Sequence, residues 1–379
     1  MTGGAAALRV LISASANDSL WRYSLDLAAG LSRLGIGTVL ALLGPAPSQA
    51  QRAAADEIEG LELVDAGLPG GWSADDASAL RLAGEAVAEI AARRGADLIH
   101  LNSSALAAEA PFPVPVVAAH HSCIATWWDA VHGAPLPAEY AWRAELVRAG
   151  LHAADAVVAP TAAFGRTMQR IYGLPELPRI VHPGRAPLVH PKLAPRDFVF
   201  TAGRLWDEGK NLGILDAAAE RIPVPVRAAG PLLGPNGVSV IFDHIHCLGA
   251  LDDEEQARVL STRPVFVSAA LYEPFGLAVL EAAAAGCPLI LSDIPTFREL
   301  WDEVAVFVPP RDEQAFTRAI ADLVADDFER AVIGRAARER AALHTPDAMA
   351  AQMAAIYRSL LPAIRRPVLA AQGAVRAAA

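Results

Sequence analysis

The chain has 379 residues, of which 53% are apolar and 20% are charged. This length exceeds what one hydrophobic core usually organises, so we expect a folded protein of two domains with disorder at most near its ends. A formal net charge of −10 and a pI near 5.5 argue against a protein whose overall field attracts nucleic acid or an anionic membrane.

Cysteine usage and the first residues bear on the cellular compartment. The three cysteines, Cys123, Cys247 and Cys287, form no C-x-x-C pair, so neither a disulfide framework nor a zinc site is predicted and a reducing cytoplasm fits best. The start of the chain has no basic segment, which favours a first buried strand over a signal peptide. No uncharged apolar run approaches the roughly 18 residues of a membrane span, so a peripheral membrane contact is the most that we expect.

Apolar runs of strand length alternate with helical patterns along the chain, which is typical of βαβ units and parallel sheets. The first helical pattern is LWRYSLDLAAGLSRLG, which Gly35 ends. Each half of the chain is therefore predicted to be a doubly wound, Rossmann-like α/β sheet. The predicted strands are 8–14, 37–43, 61–66, 97–102, 114–120, 155–160 and 179–184 in the first half, and 198–203, 224–230, 245–249, 264–269, 288–293 and 305–310 in the second.

A proline-rich segment separates the two halves. Prolines at positions 183, 187, 191 and 195 recur at every fourth residue, which forbids a helix and favours an extended connector. We predict an N-terminal domain, a hinge, a C-terminal domain, and a last helix with a tail that packs back on the N-terminal domain. Their predicted bounds are 1–185, 186–197, 198–345 and 346–379.

The segment LYEPFGLAVLEAAAAGCPLILSD, residues 271–293, predicts a helix with a glutamate near each end. Pro274 suits the first turn of a helix, so we expect the helix from about Phe275 to Ala285. Its small first residues leave backbone N–H groups open to a diphosphate. Glu273 and Glu281 are eight residues, or about 12 Å, apart, which is too far for a glycosidase pair.

The two glutamates therefore have different predicted roles. Glu273 lies at the mouth of the site, where a sugar would bind, and Glu281 could accept hydrogen bonds from a ribose. The alternative is that Glu281 is a surface salt-bridge residue and that Glu273 is a solvated loop acid.

The segment TAGRLWDEGKN, residues 201–211, follows a strand and precedes a helix. It places Arg204 and Lys210 at a strand's carboxyl end, where open α/β sheets bind ligands. A guanidinium and an ammonium together suit a diphosphate leaving group, whose charge grows in the transition state. Asn211 stands where a Walker loop would have Ser or Thr. The alternative is that both cations pair with Asp207 and Glu208 at the surface.

These segments carry a family resemblance. GRLWDEGKN, followed some seventy residues later by YEPFGLAVLEAAAAGCPLILSD, resembles the donor half of the retaining GT-B glycosyltransferases of family 4. HHSCIATWW and ADAVVAPTAAFGRTM resemble the first domain of that family. The resemblance implies a GT-B fold, in which an N-terminal acceptor domain and a C-terminal donor domain face a central cleft.

The resemblance also implies roles for individual residues. Arg204 and Lys210 would contact the donor diphosphate, Glu273 the hydroxyls of the transferred sugar, and Glu281 the nucleotide ribose. A histidine would lie beside the sugar, for which His121 matches better than His120, whose side chain would point the other way. The residues that would lie against the phosphates or the sugar in the donor site are Gly203, Phe275, Gly276 and Leu277.

The implied reaction moves a sugar from a nucleotide diphosphate sugar to an acceptor with retention at the anomeric carbon. The acceptor would attack from the front face, and the departing phosphate would help to deprotonate it. No D-x-D triplet is present, so we expect no divalent metal and no cofactor beyond the nucleotide-sugar substrate. The acceptor stays open between a saccharide, a lipid-linked molecule and a small molecule, and a nucleic-acid partner is not expected.

Other interpretations stay open. The family's glycine pair after the first strand is replaced by ASANDSLWR, in which Asp18 would repel a phosphate unless it caps the next helix. The chain could therefore be a catalytically degenerate homologue that binds nucleotide sugars, or a GT-B epimerase or phosphorylase. Histidine and cysteine spacings match no common zinc site, either around His121 or in DHIHC, residues 243–247. Trp72, Trp127, Trp128 and Trp142 could stack on a sugar or simply pack.

Overall fold

The computed structural model describes residues 8–16, 19–70, 74, 76–188, 191, 193–235 and 237–361. Two parallel sheets lie side by side, each covered by helices on both faces, as the strand pattern predicted. We call the first sheet and its helices the N-lobe and the second sheet and its helices the C-lobe. All thirteen predicted strands form, mostly one or two residues shorter at each end.

The N-lobe is built on a seven-stranded sheet with strand order β3-β2-β1-β4-β5-β6-β7. The residues of its central strands are almost entirely buried, because helices cover both faces. The strands are β1 (Arg9–Ala14), β2 (Gly37–Leu42), β3 (Leu61–Asp65), β4 (Leu98–Leu101), β5 (Val116–Ala119), β6 (Ala156–Ala159) and β7 (Arg179–Ile180). The helices are α1 (Ser19–Arg33), α2 (Gln49–Asp56), α3 (Ala77–Arg94), α4 (Ile124–His132), α5 (Ala141–Ala153) and α6 (Ala162–Tyr172).

The C-lobe is built on a six-stranded sheet with strand order β10-β9-β8-β11-β12-β13. The order reverses direction between β8 and β11, which is the switch point where open α/β sheets place ligands. The strands are β8 (Val199–Ala202), β9 (Val226–Ala229), β10 (Ile245–Cys247), β11 (Val265–Ser268), β12 (Leu289–Ser292) and β13 (Val306–Val308). The helices are α7 (Leu212–Ala219), α8 (Asp253–Ser261), α9 (Leu277–Ala285), α10 (Pro295–Trp301), α11 (Glu313–Ala325) and α12 (Asp327–Ala341).

The chain crosses between the lobes twice. After β7, which is four residues shorter than predicted because the proline-rich segment begins there, residues 181–188 have no regular secondary structure. The second crossing, residues 342–345, leads into α13 (Pro346–Leu360), which packs on α1. Met349, Met353 and Tyr357 of α13 are fully buried in the N-lobe core, so the last described helix completes the first lobe.

Candidate active site at the switch point of the second sheet

The loops after β8 and β11 meet at the switch point of the C-lobe sheet, because these two strands are neighbours. Backbone bonds join the loops: the N–H groups of Leu271 and Tyr272 both donate to the carbonyl of Gly209. Asn211 adds to this, since its side-chain amide donates to the carbonyls of Ala269 and Pro310. From the sequence, Asn211 was known only to stand where a Walker loop would have Ser or Thr. In the structure its side chain connects three loops by hydrogen bonds.

Lys210 and Glu273 form an ion pair across the two loops. The distance from Lys210 Nζ to Glu273 Oε2 is 2.5 Å, and each side chain is 17% exposed. Both line a small cavity together with Gly203 and with Ala278 and Val279 from the first turn of α9. Part of each predicted alternative is therefore wrong: Lys210 is not a surface charge paired with Asp207 or Glu208, and Glu273 is not a solvated loop acid. The cation and the acid of the two motifs face the same space.

Arg204 is fixed by Asp207, as the predicted alternative had it. Its Nη2 and Nε atoms lie 2.8 and 3.2 Å from Asp207 Oδ2, and the whole Arg204 side chain is 47% exposed. Burial alone would lower the pKa of Arg204, but the charges of Asp207 and, less strongly, Glu273 raise it. Burial would raise the pKa of Asp207, and the Arg204 guanidinium nevertheless holds it below its ordinary value. Both groups are therefore charged, and Arg204 lies within the field of Glu273.

Helix α9 begins at Leu277, two residues later than predicted. Gly276 has φ = 93°, a left-handed conformation that L-residues avoid, and a Cβ atom there would lie 3.1 Å from the Phe297 ring. The prediction that Pro274 and Phe275 enter the first turn is therefore wrong: Phe275 precedes the helix, and its side chain is buried. Because Gly276 offers no capping side chain, the first N–H groups of α9 are open to a ligand.

Glu281 lies one turn into α9 and is 6% exposed. Its Oε1 atom accepts from Nε of Arg185 at 2.8 Å, and its Oε2 atom accepts from the Gln256 amide. Arg185 lies in the first crossing between the lobes, and its Nη1 atom also donates to Oδ2 of Asp26 in α1 at 3.0 Å. Glu281 is thus a buried residue between the lobes and does not line the cavity of Lys210 and Glu273. Arg22 of α1 is its second basic neighbour, at 3.7 Å.

His121 belongs to a buried polar cluster in the N-lobe. Its Nε2 atom lies 3.0 Å from Asn102 Oδ1, and its ring lies edge-on to Tyr23 at 4.5 Å. The Asn102 amide nitrogen donates to the carbonyl of Ser13, so its oxygen is the acceptor for His121. Burial, and less strongly the neighbouring His100 and His120, lower the pKa of His121 to about 3. His121 is therefore neutral, with Nε2 protonated, and Nδ1, which has no hydrogen-bond partner among the described residues, can accept a hydrogen bond.

His120 points to the opposite side, as predicted, and stacks on Phe164 at 6.1 Å. Sequence reasoning missed Asn102, which also accepts a bond from His100 Nε2 at 3.1 Å. Its position directly after β4, beside the switch point between β1 and β4, is the signal that could have identified it.

Helix α4 of the N-lobe reaches across to both C-lobe loops. Trp127 Nε1 donates to Asp207 Oδ1 at 2.9 Å, and the hydroxyls of Thr126 and Tyr272 are 2.8 Å apart. A Cβ atom at Gly209 would lie 2.6 Å from Trp127 Nε1, so this approach requires glycine there. We call these contacts the α4 clamp. It connects the loops that carry Arg204 and Glu273 to the segment that follows His121.

Several sequence expectations concern residues away from this site. Trp128 packs on His132 at 4.1 Å. The loop residues 17 and 18 and Trp72 lie outside the described residues. Within the described part of the chain, no group of three His, Cys, Asp or Glu side chains is arranged to hold a metal ion. In the same part, no helix combines the length and the apolar character needed to cross a bilayer.

Two family models match the chain, one in each half. The model described as Glycosyltransferase Family 4 matches residues 20–186, and the model described as Glycosyl transferases group 1 matches residues 241–340. The two matches together cover more than half of the chain, and the second contains Glu273, α9 and Glu281.

Curated relatives match over part of their length. The D-rhamnosyltransferase WbpZ of Pseudomonas aeruginosa is 30% identical over 211 residues, which are 50% of this chain and 55% of that protein. The phosphatidyl-myo-inositol mannosyltransferase of Mycobacterium leprae is 29% identical over 123 residues, 32% of this chain and 33% of that protein. The chain thus spans about half the length of the first relative and about a third of the second.

Solved structures match over nearly the whole chain. Sucrose-phosphate synthase from Thermosynechococcus elongatus has a TM-score of 0.75 at 21% identity and covers 93% of this chain and 99% of its own. HepE of Anabaena, solved with UDP and glucose, has a TM-score of 0.71 at 18% identity and covers 93% and 100%. This likeness confirms the GT-B fold. The two family models place the chain among the group 1 and family 4 glycosyltransferases.

Proposed function

We propose that the chain is a glycosyltransferase that moves a sugar from a nucleotide diphosphate sugar to an acceptor with retention of anomeric configuration. One observation carries the proposal: Lys210, Glu273, Gly203 and the uncapped start of α9 line a single small cavity at the switch point. Cationic groups and free amides at one end, with an oriented carboxylate beside them, suit a diphosphate that is attached to a sugar.

The leaving diphosphate is stabilised by Lys210, by Arg204 and by the N-terminus of α9. These groups are held in place before the reaction, so they stabilise the developing charge without reorganising. The ammonium of Lys210 orients the Glu273 carboxylate, whose remaining oxygen lone pairs accept from sugar hydroxyls. The diphosphate itself takes the proton of the acceptor, so no protein nucleophile is needed.

Neutral His121 accepts a hydrogen bond from a sugar hydroxyl through Nδ1, because Nε2–H is committed to Asn102. Glu281 binds the nucleotide ribose only if a ribose shares the carboxylate with Arg185 or displaces it. Closure of the lobes by the α4 clamp excludes water that would otherwise hydrolyse the donor.

The donor and acceptor classes also belong to this proposal. Relatives are named for rhamnosyl and mannosyl transfer, and HepE was solved with UDP and glucose, so we include these sugars among the first donors to test. The acceptor is a saccharide, a lipid-linked molecule or a small molecule, reached in the cytoplasm or at a membrane surface. No metal and no further cofactor takes part.

The test begins with a thermal-shift screen against UDP-, GDP-, ADP- and dTDP-sugars, because a ligand at 100 times its Kd stabilises by about 2.7 kcal/mol. Donor hydrolysis and transfer are then measured with a labelled donor, and the product anomer is assigned by NMR. We expect Glu273→Gln and Lys210→Ala to lose activity, whereas Arg221→Ala, a matched change at an exposed ion pair, keeps it.

The alternatives give different results in the same experiment. Donor binding without turnover in any assay would identify a binding homologue. Release of a free sugar phosphate or of an epimerised nucleotide sugar would identify a phosphorylase or an epimerase. Transfer with an inverted anomeric centre would contradict the proposed mechanism while leaving the donor site intact.

A further inference from the structure

A second cavity lies at the hinge, away from the switch point. Its volume is about 350 Å³, which is enough for a small metabolite. Its walls come from the segment after β7, from α10, from the end of α12 and from α13. Both crossings between the lobes therefore border it. We call it the hinge cavity, and its polar lining residues are His182, Glu299, Arg340, His344, Thr345 and Gln352.

The guanidinium in the hinge cavity, Arg340, forms no ion pair among the described residues. Arg340 donates to the carbonyls of Leu300 at 2.8 Å and Asp302 at 3.4 Å, and among the described residues it has no carboxylate partner. Glu299 is the one acid in the lining, and both of its oxygens accept N–H groups at the start of α6 at 2.7 Å. A guanidinium with only carbonyl partners keeps most of its affinity for an anion.

Two imidazoles lie beside this guanidinium. His182 Nδ1 lies 2.8 Å from the carbonyl of Pro160, so Nδ1 carries the proton and Nε2 is the nitrogen left for a ligand. The ring of His344 is perpendicular to that of His182 at 5.3 Å, and in the described part of the chain neither of its nitrogens has a hydrogen-bond partner. Burial, and less strongly the charges of His182 and Arg340, lower the pKa of His344 to about 4.

We propose that the hinge cavity binds a small metabolite through a phosphoryl group, held by Arg340, His182 and His344. A tetrahedral dianion can accept from a guanidinium edge, from the N–H of His344 and from Nε2 of His182 once that ring takes up a proton, and Thr345 and Gln352 offer additional polar contacts. The remaining walls are leucine and alanine side chains, which suit the carbon skeleton of such a metabolite. Because both crossings line the cavity, an occupant would contact both lobes at their hinge.

The proposal predicts how affinity changes with pH. An anion raises the pKa of a neighbouring histidine, so binding takes up protons and strengthens as the pH falls. The charged and titratable groups that face His344 are His182, Arg340 and Glu299. Sulfate is the cleanest probe because its charge is constant over this range, and we expect its affinity to rise about threefold or more between pH 8 and pH 6.

The experiment is isothermal titration of the full chain with sulfate, inorganic phosphate and acetate at constant ionic strength. Gln352→Glu places a carboxylate in the cavity, and Ala355→Glu makes the same charge change at an exposed position of α13 outside the lining. We expect Gln352→Glu to weaken sulfate and phosphate binding about tenfold or more, and Ala355→Glu to change it little. The candidate active site is identical in the two variants, so their difference reports on the hinge cavity alone.

Each outcome decides the proposal. Saturable sulfate binding that Gln352→Glu abolishes and low pH strengthens would support it, and His344→Asn should reproduce the loss if Gln352→Glu proves unstable. No saturable binding, equal binding by the two glutamate variants, or affinity independent of pH would overturn it. Acetate binding as tight as phosphate would overturn the phosphoryl class. Binding of the donor sugar by Gln352→Glu is measured as well. If donor binding is kept while sulfate binding is lost, the loss belongs to the hinge cavity and not to the proposed transferase site.

Discussion

Replacing Trp127 with phenylalanine tests whether the α4 clamp sets the geometry of the candidate active site. The change removes the indole N–H that donates to Asp207 Oδ1 at 2.9 Å and keeps an aromatic ring. Asp207 fixes Arg204 through its other oxygen, so a looser Asp207 leaves the guanidinium less well placed for a diphosphate. The backbone N–H of Gly209 still donates to Asp207 Oδ1 in this variant, which keeps the loop folded.

The size of the effect follows from the charge of the acceptor. Hydrogen bonds to charged groups contribute about 1.5–3 kcal/mol, which corresponds to a decrease of about 10- to 150-fold in kcat/KM if the bond forms only when the lobes are closed. We expect the loss mainly in kcat, because the bond positions a group that acts on the leaving diphosphate. The assay is transfer or donor hydrolysis with the nucleotide sugar that the screen identifies.

The neighbouring residue supplies the control. Trp128→Phe also shortens a tryptophan of α4, but the indole N–H of Trp128 has no hydrogen-bond partner among the described residues. We expect this variant to keep nearly full activity, and small-angle scattering to show a more open average shape for Trp127→Phe than for Trp128→Phe. If the two variants have the same kcat/KM and the same scattering, the clamp does not position Arg204 and the reasoning fails.

Three further results are expected. Gly276→Ala should destabilise the protein by about 1–2 kcal/mol in urea unfolding and impair donor binding, because φ = 93° disfavours any side chain. Arg185→Met should cost about 3 kcal/mol by removing the nearest cation from two largely buried carboxylates, Glu281 and Asp26, whereas Arg221→Met at an exposed pair should cost under about 1 kcal/mol. The third result concerns pH. His121 has a pKa of about 3 in the folded protein and about 6.5 in the unfolded chain, so the unfolded state binds more protons. The free energy of unfolding in urea should therefore fall as the pH drops below about 6.5, and a flat profile down to pH 4 would contradict the burial of His121.

Much of the fold was predictable because the residues of each strand are by themselves enough to indicate a strand. A strand covered on both faces is mostly apolar, as the runs VLI within LRVLISA and LIL within PLILSD are. The proximity of Lys210 and Glu273 was predictable for a related reason, since both motifs follow strands and the carboxyl ends of parallel strands meet at one edge of a sheet. The start of α9 was misplaced because Gly276 adopts a left-handed conformation, which a glycine permits but does not require.

Contacts between the lobes were not predictable from local pattern. The partners Trp127 and Asp207 are 80 residues apart, and Arg185 and Glu281 are 96 residues apart. No periodicity or motif links such positions, because they meet only after both lobes have folded and docked. The hydrogen bonds of Asn102 were missed for a similar reason, since its partners come from separate strands and helices of the N-lobe.

The position of α13 sets the order in which the two lobes are completed during synthesis. Met349, Met353 and Tyr357 are part of the N-lobe core, yet a ribosome makes them only after the entire second sheet has emerged. The C-lobe can therefore become compact first. Until α13 is made, the N-lobe exposes the apolar surface of α1 on which α13 packs. Domains usually fold in the order of their translation; here the half that is made first finishes last.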